Sequence, residues 1–149
     1  MFNETLKLSG QLAIVLRDKD GNVKEERTEK NLVVTTGLNY IASRMKDATA
    51  TAMTHMALGS GTTTAAAGQT DLVTLLGSRE ALDSTTVTAN AVAYVSSFEA
   101  GDATGAVTEA GIFNASTSGT MLCRVVFSVV NKAADDTMTV TWTITLAAS

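Results

Sequence analysis

Apolar and polar residues alternate without interruption from Thr137 to Leu146. In an extended chain, successive side chains point to opposite faces, so one face of this segment is apolar and contains Trp142, while the other consists of threonines. The pattern predicts a β-strand with one buried face and one face in water. The apolar positions are Met138, Val140, Trp142, Ile144 and Leu146, and the threonines are Thr137, Thr139, Thr141, Thr143 and Thr145.

Shorter versions of this alternation recur along the chain. Lys7–Arg17 is predicted to be the first strand, and Asp20-Gly21 is a hairpin signal because glycine accepts the positive φ of such a turn. Val23–Lys30 is predicted to be the return strand, and its many charged residues indicate an exposed sheet edge. Further strands are predicted near residues 53–58, 79–82, 86–88, 91–99, 106–113 and 120–130.

One segment has the periodicity of a helix instead. Its apolar residues recur at the spacing of one helical face, and Thr36 stands at the N-cap position. The pattern predicts one short helix over residues 37–47. The apolar residues of the predicted face are Leu38, Ile41, Ala42 and Met45.

About eight strands with turn-rich connections and one helix predict a mainly β fold. The expected architecture is an antiparallel β-sandwich that is jelly-roll-like, with residues 1–149 in a single domain.

Composition narrows the classes of partner. The formal net charge is -4 and lysine and arginine form no cluster, so we expect no nucleic-acid partner. No apolar run reaches the length of about 18 residues that a membrane-spanning helix requires, so no membrane partner is predicted. Met1–Thr5 lacks the plan of a signal peptide, and Cys123 is the only cysteine. These features predict folding in a reducing cytoplasm.

The hairpin segment also resembles a calcium loop in its spacing of oxygen ligands. Asp18, Asp20 and Asn22 stand at the first, third and fifth positions, and Glu29 stands at the twelfth. However, Val23 occupies the position where a calcium loop requires glycine for its sharp turn. The spacing therefore favours a hairpin turn, and no metal site is predicted.

Three other features are candidates for chemistry, and each has a simpler interpretation. Gly59–Gly68 is rich in glycine and threonine but has no nearby lysine, so it predicts a flexible, solvated loop rather than a phosphate site. His55 is the only histidine, and it is interpreted as a half-buried, hydrogen-bonded strand residue. Cys123 lies on the apolar face of a strand, where it acts as a small hydrophobic residue.

Glu109 stands in a segment that is otherwise poor in charge. Its carboxylate can pair with Arg124 or with Arg79, cap a turn or face solvent, and the sequence does not choose between these. Trp142 is interpreted as a core anchor. No catalytic residues and no cofactor site are predicted, and the chain is expected not to be an enzyme.

Several phrases of the chain resemble small structural proteins of tailed bacteriophages, among them capsid decoration or cement proteins. The phrases are Asn31–Gly37, which leads into the predicted helix, Met56–Thr62, Thr108–Phe113 and Gly119–Arg124, together with the closing alternating strand. The resemblance implies a jelly-roll-like sandwich that assembles on a virion, and it supplies no catalytic residues.

Three classes of function follow from these observations. The first is a cement protein on the capsid exterior, which binds the major capsid protein as a dimer or trimer, bridges its subunits and is assembled in the host cytoplasm. The alternative is a tail or fibre component, in which Gly59–Gly68 contacts a host glycan. A hydrolase acting on glycans ranks last, because no spacing recommends a pair of carboxylates.

Two segments are candidates for assembly contacts. Residues 1–6 precede the first predicted strand and form a candidate N-terminal arm, with Phe2 as its anchor. The threonine side of the closing strand is weakly polar and uncharged, so it is suited to a subunit contact. The candidate contact residues are Met1, Phe2, Thr139, Thr141 and Thr143.

Overall fold

Two antiparallel sheets pack face to face in the computed structural model of this chain, which describes residues 4–46 and 50–148. Within these residues the chain forms ten strands and one helix. In chain order they are β1 (Leu6–Arg17), β2 (Val23–Lys30), β3 (Leu32–Val33), α1 (Thr35–Lys46), β4 (His55–Gly59), β5 (Glu80–Ala81), β6 (Ser84–Thr88), β7 (Ala91–Phe98), β8 (Gly105–Phe113), β9 (Met121–Lys132) and β10 (Thr137–Ala148).

Each sheet contains five strands. Sheet A has the order β2-β1-β10-β7-β6, and sheet B has the order β3-β9-β8-β4-β5. Every pair of neighbouring strands is antiparallel. The predicted mainly β, antiparallel sandwich is confirmed. Of the ten strands, β3 alone was not predicted as a strand, because its two residues are too few to show an alternating pattern. The short strand predicted near residues 79–82 forms as β5.

The closing strand, β10, lies at the centre of sheet A, and its predicted alternation is confirmed. Trp142 is fully buried in the core between the sheets. Its indole Nε1 donates a hydrogen bond of 2.9 Å to Oδ1 of Asn31. A Cβ atom at Gly10 would lie 1.7 Å from the same oxygen, so glycine at this position leaves room for the amide that holds the indole.

The helix forms where it was predicted, but its buried side differs. A Cβ atom at Gly37 would lie 2.0 Å from the backbone oxygen of Leu122, so the helix approaches β9 most closely at this glycine. Ile41 packs against the core, whereas Leu38 and Met45 are 49% and 81% exposed. The prediction that Leu38, Ala42 and Met45 face the core is therefore wrong, because contact at a small residue turned the helix about its axis.

The boundaries of the helix also differ from the prediction. It begins at Thr35 and is described to Lys46, and residue 47 lies outside the described residues. Thr36 is not the N-cap, because its hydroxyl donates to the backbone oxygen of Met121 at 2.9 Å. Among the described residues, no helix is long and apolar enough to cross a lipid bilayer.

The hairpin between β1 and β2 forms as predicted. Gly21 has a φ of +85°, which glycine tolerates and other residues rarely adopt. The Oδ1 atom of Asp18 accepts hydrogen bonds of 2.9 Å from the backbone N–H groups of Asp20 and Asn22. The carboxylate of Asp18 thus stabilises the turn. Within the described residues there is no group of three or more metal-ligating side chains.

Strand β2 is an edge strand, as its charges predicted. Arg27 of β2 lies opposite Ile14 of β1, whose side chain faces the core. Because opposite residues point to the same side of a sheet, the side chain of Arg27 also points inward. The guanidinium of Arg27 donates to the backbone oxygen of Ser128 at 3.0 Å and forms ion pairs with Glu25 and Glu29. Inward-pointing charges on an edge strand discourage pairing with another chain.

We expect replacement of Trp142 by alanine to lower the free energy of unfolding by about 3–5 kcal/mol, because it removes a large buried side chain and leaves a cavity. Urea denaturation measures this loss. Thr143→Ala, on the opposite side of the same strand, is the matched control and should change stability by less than about 0.5 kcal/mol. Equal stability of the two variants would contradict the assignment of faces in β10.

Candidate assembly surface

The candidate contact residues Thr139, Thr141 and Thr143 lie together on the outer side of β10. The strand register places Thr141 between Ala13 of β1 and Val95 of β7. The two other threonines have neighbours of the same kind: Thr139 lies between Val15 and Ser97, and Thr143 lies between Gln11 and Ala93. The structure therefore brings the three threonines together in the middle of sheet A.

Each of these threonines forms a row across the sheet with its neighbours in β1 and β7. The three rows belong to a surface that we call the threonine face. On the β6 side the rows continue into Ser84 and Thr86, and on the β2 side they continue into Glu26, Thr28 and Lys30. Formal charge borders the surface in β2 and at Asp83, whose carboxylate accepts a hydrogen bond of 2.7 Å from the hydroxyl of Ser97. The threonine face consists of Gln11, Ala13, Val15, Ser84, Thr86, Ala93, Val95, Ser97, Thr139, Thr141 and Thr143.

The composition of the threonine face makes it inexpensive to remove from water. Hydroxyl groups cost much less to desolvate than charged groups, and the alanine and valine side chains favour burial. Strands lie about 4.8 Å apart and alternate residues about 6.8 Å apart, so the eleven residues of the surface cover about 350 Å². A standard interface buries about 800 Å² on each partner. The threonine face is therefore large enough for a substantial part of one interface.

The predicted N-terminal arm is described only in part. Met1 and Phe2 lie outside the described residues. Leu6 belongs to β1 and pairs with Ala148, so the predicted arm of residues 1–6 is wrong at its C-terminal end. Leu6 and Ala13 are seven residues apart along β1, which corresponds to about 23 Å.

A different arrangement occupies the outer side of sheet B. The carboxylate of Glu109, in β8, and the guanidinium of Arg124, in β9, form an ion pair of 2.7 Å, and both side chains are 0% exposed. Of the alternatives that the sequence left open for Glu109, the structure selects Arg124. Arg79 lies instead over the ring of Phe113, 3.5 Å from its centroid.

The buried ion pair holds a chain segment across sheet B. We call this segment, residues 60–76, the strap. The carboxylate of Glu109 accepts hydrogen bonds from the backbone N–H groups of Gly61 at 2.9 Å, Val73 at 3.1 Å and Thr74 at 2.8 Å. The guanidinium of Arg124 donates at 2.9 Å to the backbone oxygen of Thr63. Side chains in two adjacent strands thus fasten both halves of the strap.

Packing also fixes the strap in place. A Cβ atom at Gly59 or Gly61 would lie 2.6 or 2.4 Å from Oε1 of Glu109, so both positions require glycine. Leu72 packs against a small apolar cluster on the outer side of sheet B. The predicted flexible, solvated loop is therefore wrong at Gly59 and Gly61, which are buried, although the intervening chain as far as Gly68 includes exposed residues. The cluster consists of Val34, Ala57, Phe113 and Met121.

The surroundings of Glu109 determine its protonation. Burial alone would raise the pKa of the carboxyl group. The backbone N–H groups of Thr74 and Val73, the guanidinium of Arg124 and the N–H group of Gly61 outweigh burial and lower the pKa below its usual value. Glu109 is consequently ionised near neutral pH, in the form that accepts all of these hydrogen bonds.

The remaining candidates have structural roles. His55 is half-buried in β4, and its Nδ1 atom lies 2.8 Å from the hydroxyl of Thr54, which confirms the strand interpretation. Cys123 is buried in the core, and burial raises the pKa of its thiol well above the usual value. The prediction that Cys123 lies on an apolar face is confirmed.

We expect Glu109→Gln to lower the free energy of unfolding at pH 7 by about 3–5 kcal/mol, because Arg124 would remain buried without its counter-charge. The native carboxylate stabilises the fold fully above its unfolded pKa of about 4.3. This contribution disappears as the pH falls through the lowered native pKa. The stability difference between the native protein and the variant should therefore shrink on acidification below about pH 4.

Urea denaturation between pH 7 and pH 2 measures this difference. Glu26→Gln, on the outer side of β2, removes a carboxylate at an exposed site and is the matched control. It should change stability by less than about 0.5 kcal/mol. A difference between native protein and Glu109→Gln that stays constant over the whole range would show that the carboxylate does not hold the strap through its charge.

Comparison with known proteins yields no family for this chain. Models of protein families, curated proteins and solved structures were searched, and none of them matches it. Its function is therefore inferred from the surfaces of the fold.

Proposed function

We propose that the protein is a structural component of a tailed-bacteriophage particle and acts as a capsid cement protein. In this role it binds the outer shell and bridges neighbouring copies of the major capsid protein. The threonine face carries the proposal, because it is a broad, uncharged sheet surface whose desolvation costs little. The phrases that resemble phage structural proteins, from Asn31–Gly37 to Gly119–Arg124, give the proposal its biological setting.

The two sheets differ in a way that supports this use of sheet A. The outer side of sheet B is covered by the strap, which Glu109 and Arg124 hold in place. Among the described residues, no such segment covers the threonine face, and its central threonines remain partly accessible. Sheet A therefore offers the broad surface on which another protein can lie.

A contact of about 350 Å² on one partner is small for an isolated complex. On a shell, however, each bound copy touches more than one capsid subunit, and binding to the first raises the effective concentration at the second. The area buried across each junction then adds to the work needed to separate the subunits. Many modest contacts can reinforce the shell in this way.

A second candidate is a tail or fibre component that contacts a host glycan. Thr62, Thr63 and Thr64 favour it, because they are exposed on a backbone that is held in place. Glu109 binds this backbone at Gly61, and Arg124 binds it at Thr63. Fixed hydroxyl groups lose little conformational freedom on binding. The two candidates place the contact on opposite sides of the sandwich.

We expect Thr141→Lys to reduce occupancy on purified particles at least tenfold, because the lysine places a charge in the middle of the threonine face. Thr62→Lys introduces the same side chain on the strap and should leave occupancy unchanged. Quantitative gel analysis of the particles measures both, and thermal denaturation checks that both variants are folded. Normal occupancy of Thr141→Lys would overturn the proposal.

Copy number separates the two candidates independently. A cement protein should be present in on the order of hundreds of copies per particle, since its sites repeat with the capsid lattice. A tail component should be present in a few dozen copies or fewer. Mass spectrometry of purified particles with labelled peptide standards measures this number, and a low value would favour the tail.

A further inference from the structure

The two edges of sheet A are built differently. Strand β6, at one edge, has β7 as its one pairing partner within the described part of the chain. All of its residues, Ser84–Thr88, are exposed, and Val87 is 71% exposed. The strand contains only serine, threonine and valine, so it has high β-propensity and no charge.

Strand β2, at the other edge, has the features that normally protect an edge strand. Most of its residues are charged, and Glu25, Arg27 and Glu29 lie on the same side of the sheet as the core residues of β1. An unprotected edge presents backbone N–H and C=O groups to any strand that can pair with them. Sheet A carries protecting charges on its β2 edge and none on its β6 edge. This contrast points to β6 as the edge that can pair with another strand.

We infer that β6 pairs with β6 of a second copy of this chain and joins the two copies of sheet A into one continuous sheet. Identical strands can pair in antiparallel fashion about a twofold axis, which is the symmetry of a closed dimer. With the axis at Thr86, this residue lies opposite its own counterpart. Thr85 then lies opposite Val87, and Ser84 lies opposite Thr88.

The side chains suit this register. Threonine opposite threonine and threonine opposite valine are favourable cross-strand pairs, and no like charges meet. The nearest carboxylate, that of Asp83, is turned towards β7, where its Oδ2 accepts a hydrogen bond of 2.7 Å from the hydroxyl of Ser97. The strand therefore carries no obstacle of the kind found on β2.

Pairing also changes the threonine face. In the joined sheet the two threonine faces lie side by side on one surface, and their combined area becomes about 700 Å². A surface of that size approaches the area of about 800 Å² that one partner contributes to a standard interface. This consequence rests on the proposed function, whereas the pairing itself uses the backbone edge of β6 and does not depend on that function.

A cysteine at position 86 tests the pairing directly. Opposite residues of an antiparallel pair have Cα atoms about 4.5–5.5 Å apart, within the range that a disulfide spans. We expect Thr86→Cys to form a disulfide-linked dimer on mild oxidation of the purified protein. Ser84→Cys is the matched control: it lies about 13 Å from its own counterpart and should not form one. A mixture of Ser84→Cys and Thr88→Cys should form the mixed dimer.

The native protein is the second control, because its cysteine is buried in the core. Sedimentation velocity should show a dimer for the native protein and for Thr28→Lys, on the outer side of β2. Thr86→Lys should weaken the dimer at least tenfold, because two lysines would meet at the axis. A monomeric native protein, or a disulfide formed by Thr141→Cys instead of Thr86→Cys, would overturn the inference. The measurements need no particle, so they are independent of the test of the proposed function.

Discussion

The buried carboxylate of Glu109 determines which side of the sandwich is open. It binds Arg124 and three backbone N–H groups, and together these contacts draw the strap over sheet B. An ionised group in a buried position is costly unless such partners surround it. Here the partners come from the neighbouring strand β9 and from a segment distant in sequence, so the contacts that stabilise the charge also cover the sheet. Among the described residues, sheet A has no comparable residue on its outer side.

This asymmetry explains how a protein with little charge can present distinct surfaces. On the outer side of sheet B, the strap covers the strands and exposes its own threonines. The outer side of sheet A remains a regular sheet surface with the threonine face at its centre. At the two borders of sheet A, charged β2 and uncharged β6 differ again. Differences in covering and charge, rather than a cavity lined with reactive groups, therefore carry the functional proposals.

The strands and their faces could be predicted from the sequence because alternation is a local property. The run that contains Trp142 reports directly which residues are buried. The strap could not be predicted in this way, since Gly61 and Glu109 are 48 residues apart and meet only in the folded chain. A signal was present in Glu109 and Arg124, which stand in segments otherwise poor in charge. However, two arginine partners, a turn cap and solvent were equally compatible with the carboxylate. The buried side of the helix could not be predicted for a related reason, because the close contact at Gly37 is made with β9, which is distant in sequence.

In the proposed assembly, the threonine face of sheet A lies on the shell. A cryo-EM map of the intact particle, at a resolution that separates the strands, shows which side of the sandwich contacts the capsid. We expect density for β10, around Thr141, to face the capsid and density for the strap to face solvent. Density that places the strap and β4 against the shell, with Thr141 exposed to solvent, would contradict this assembly.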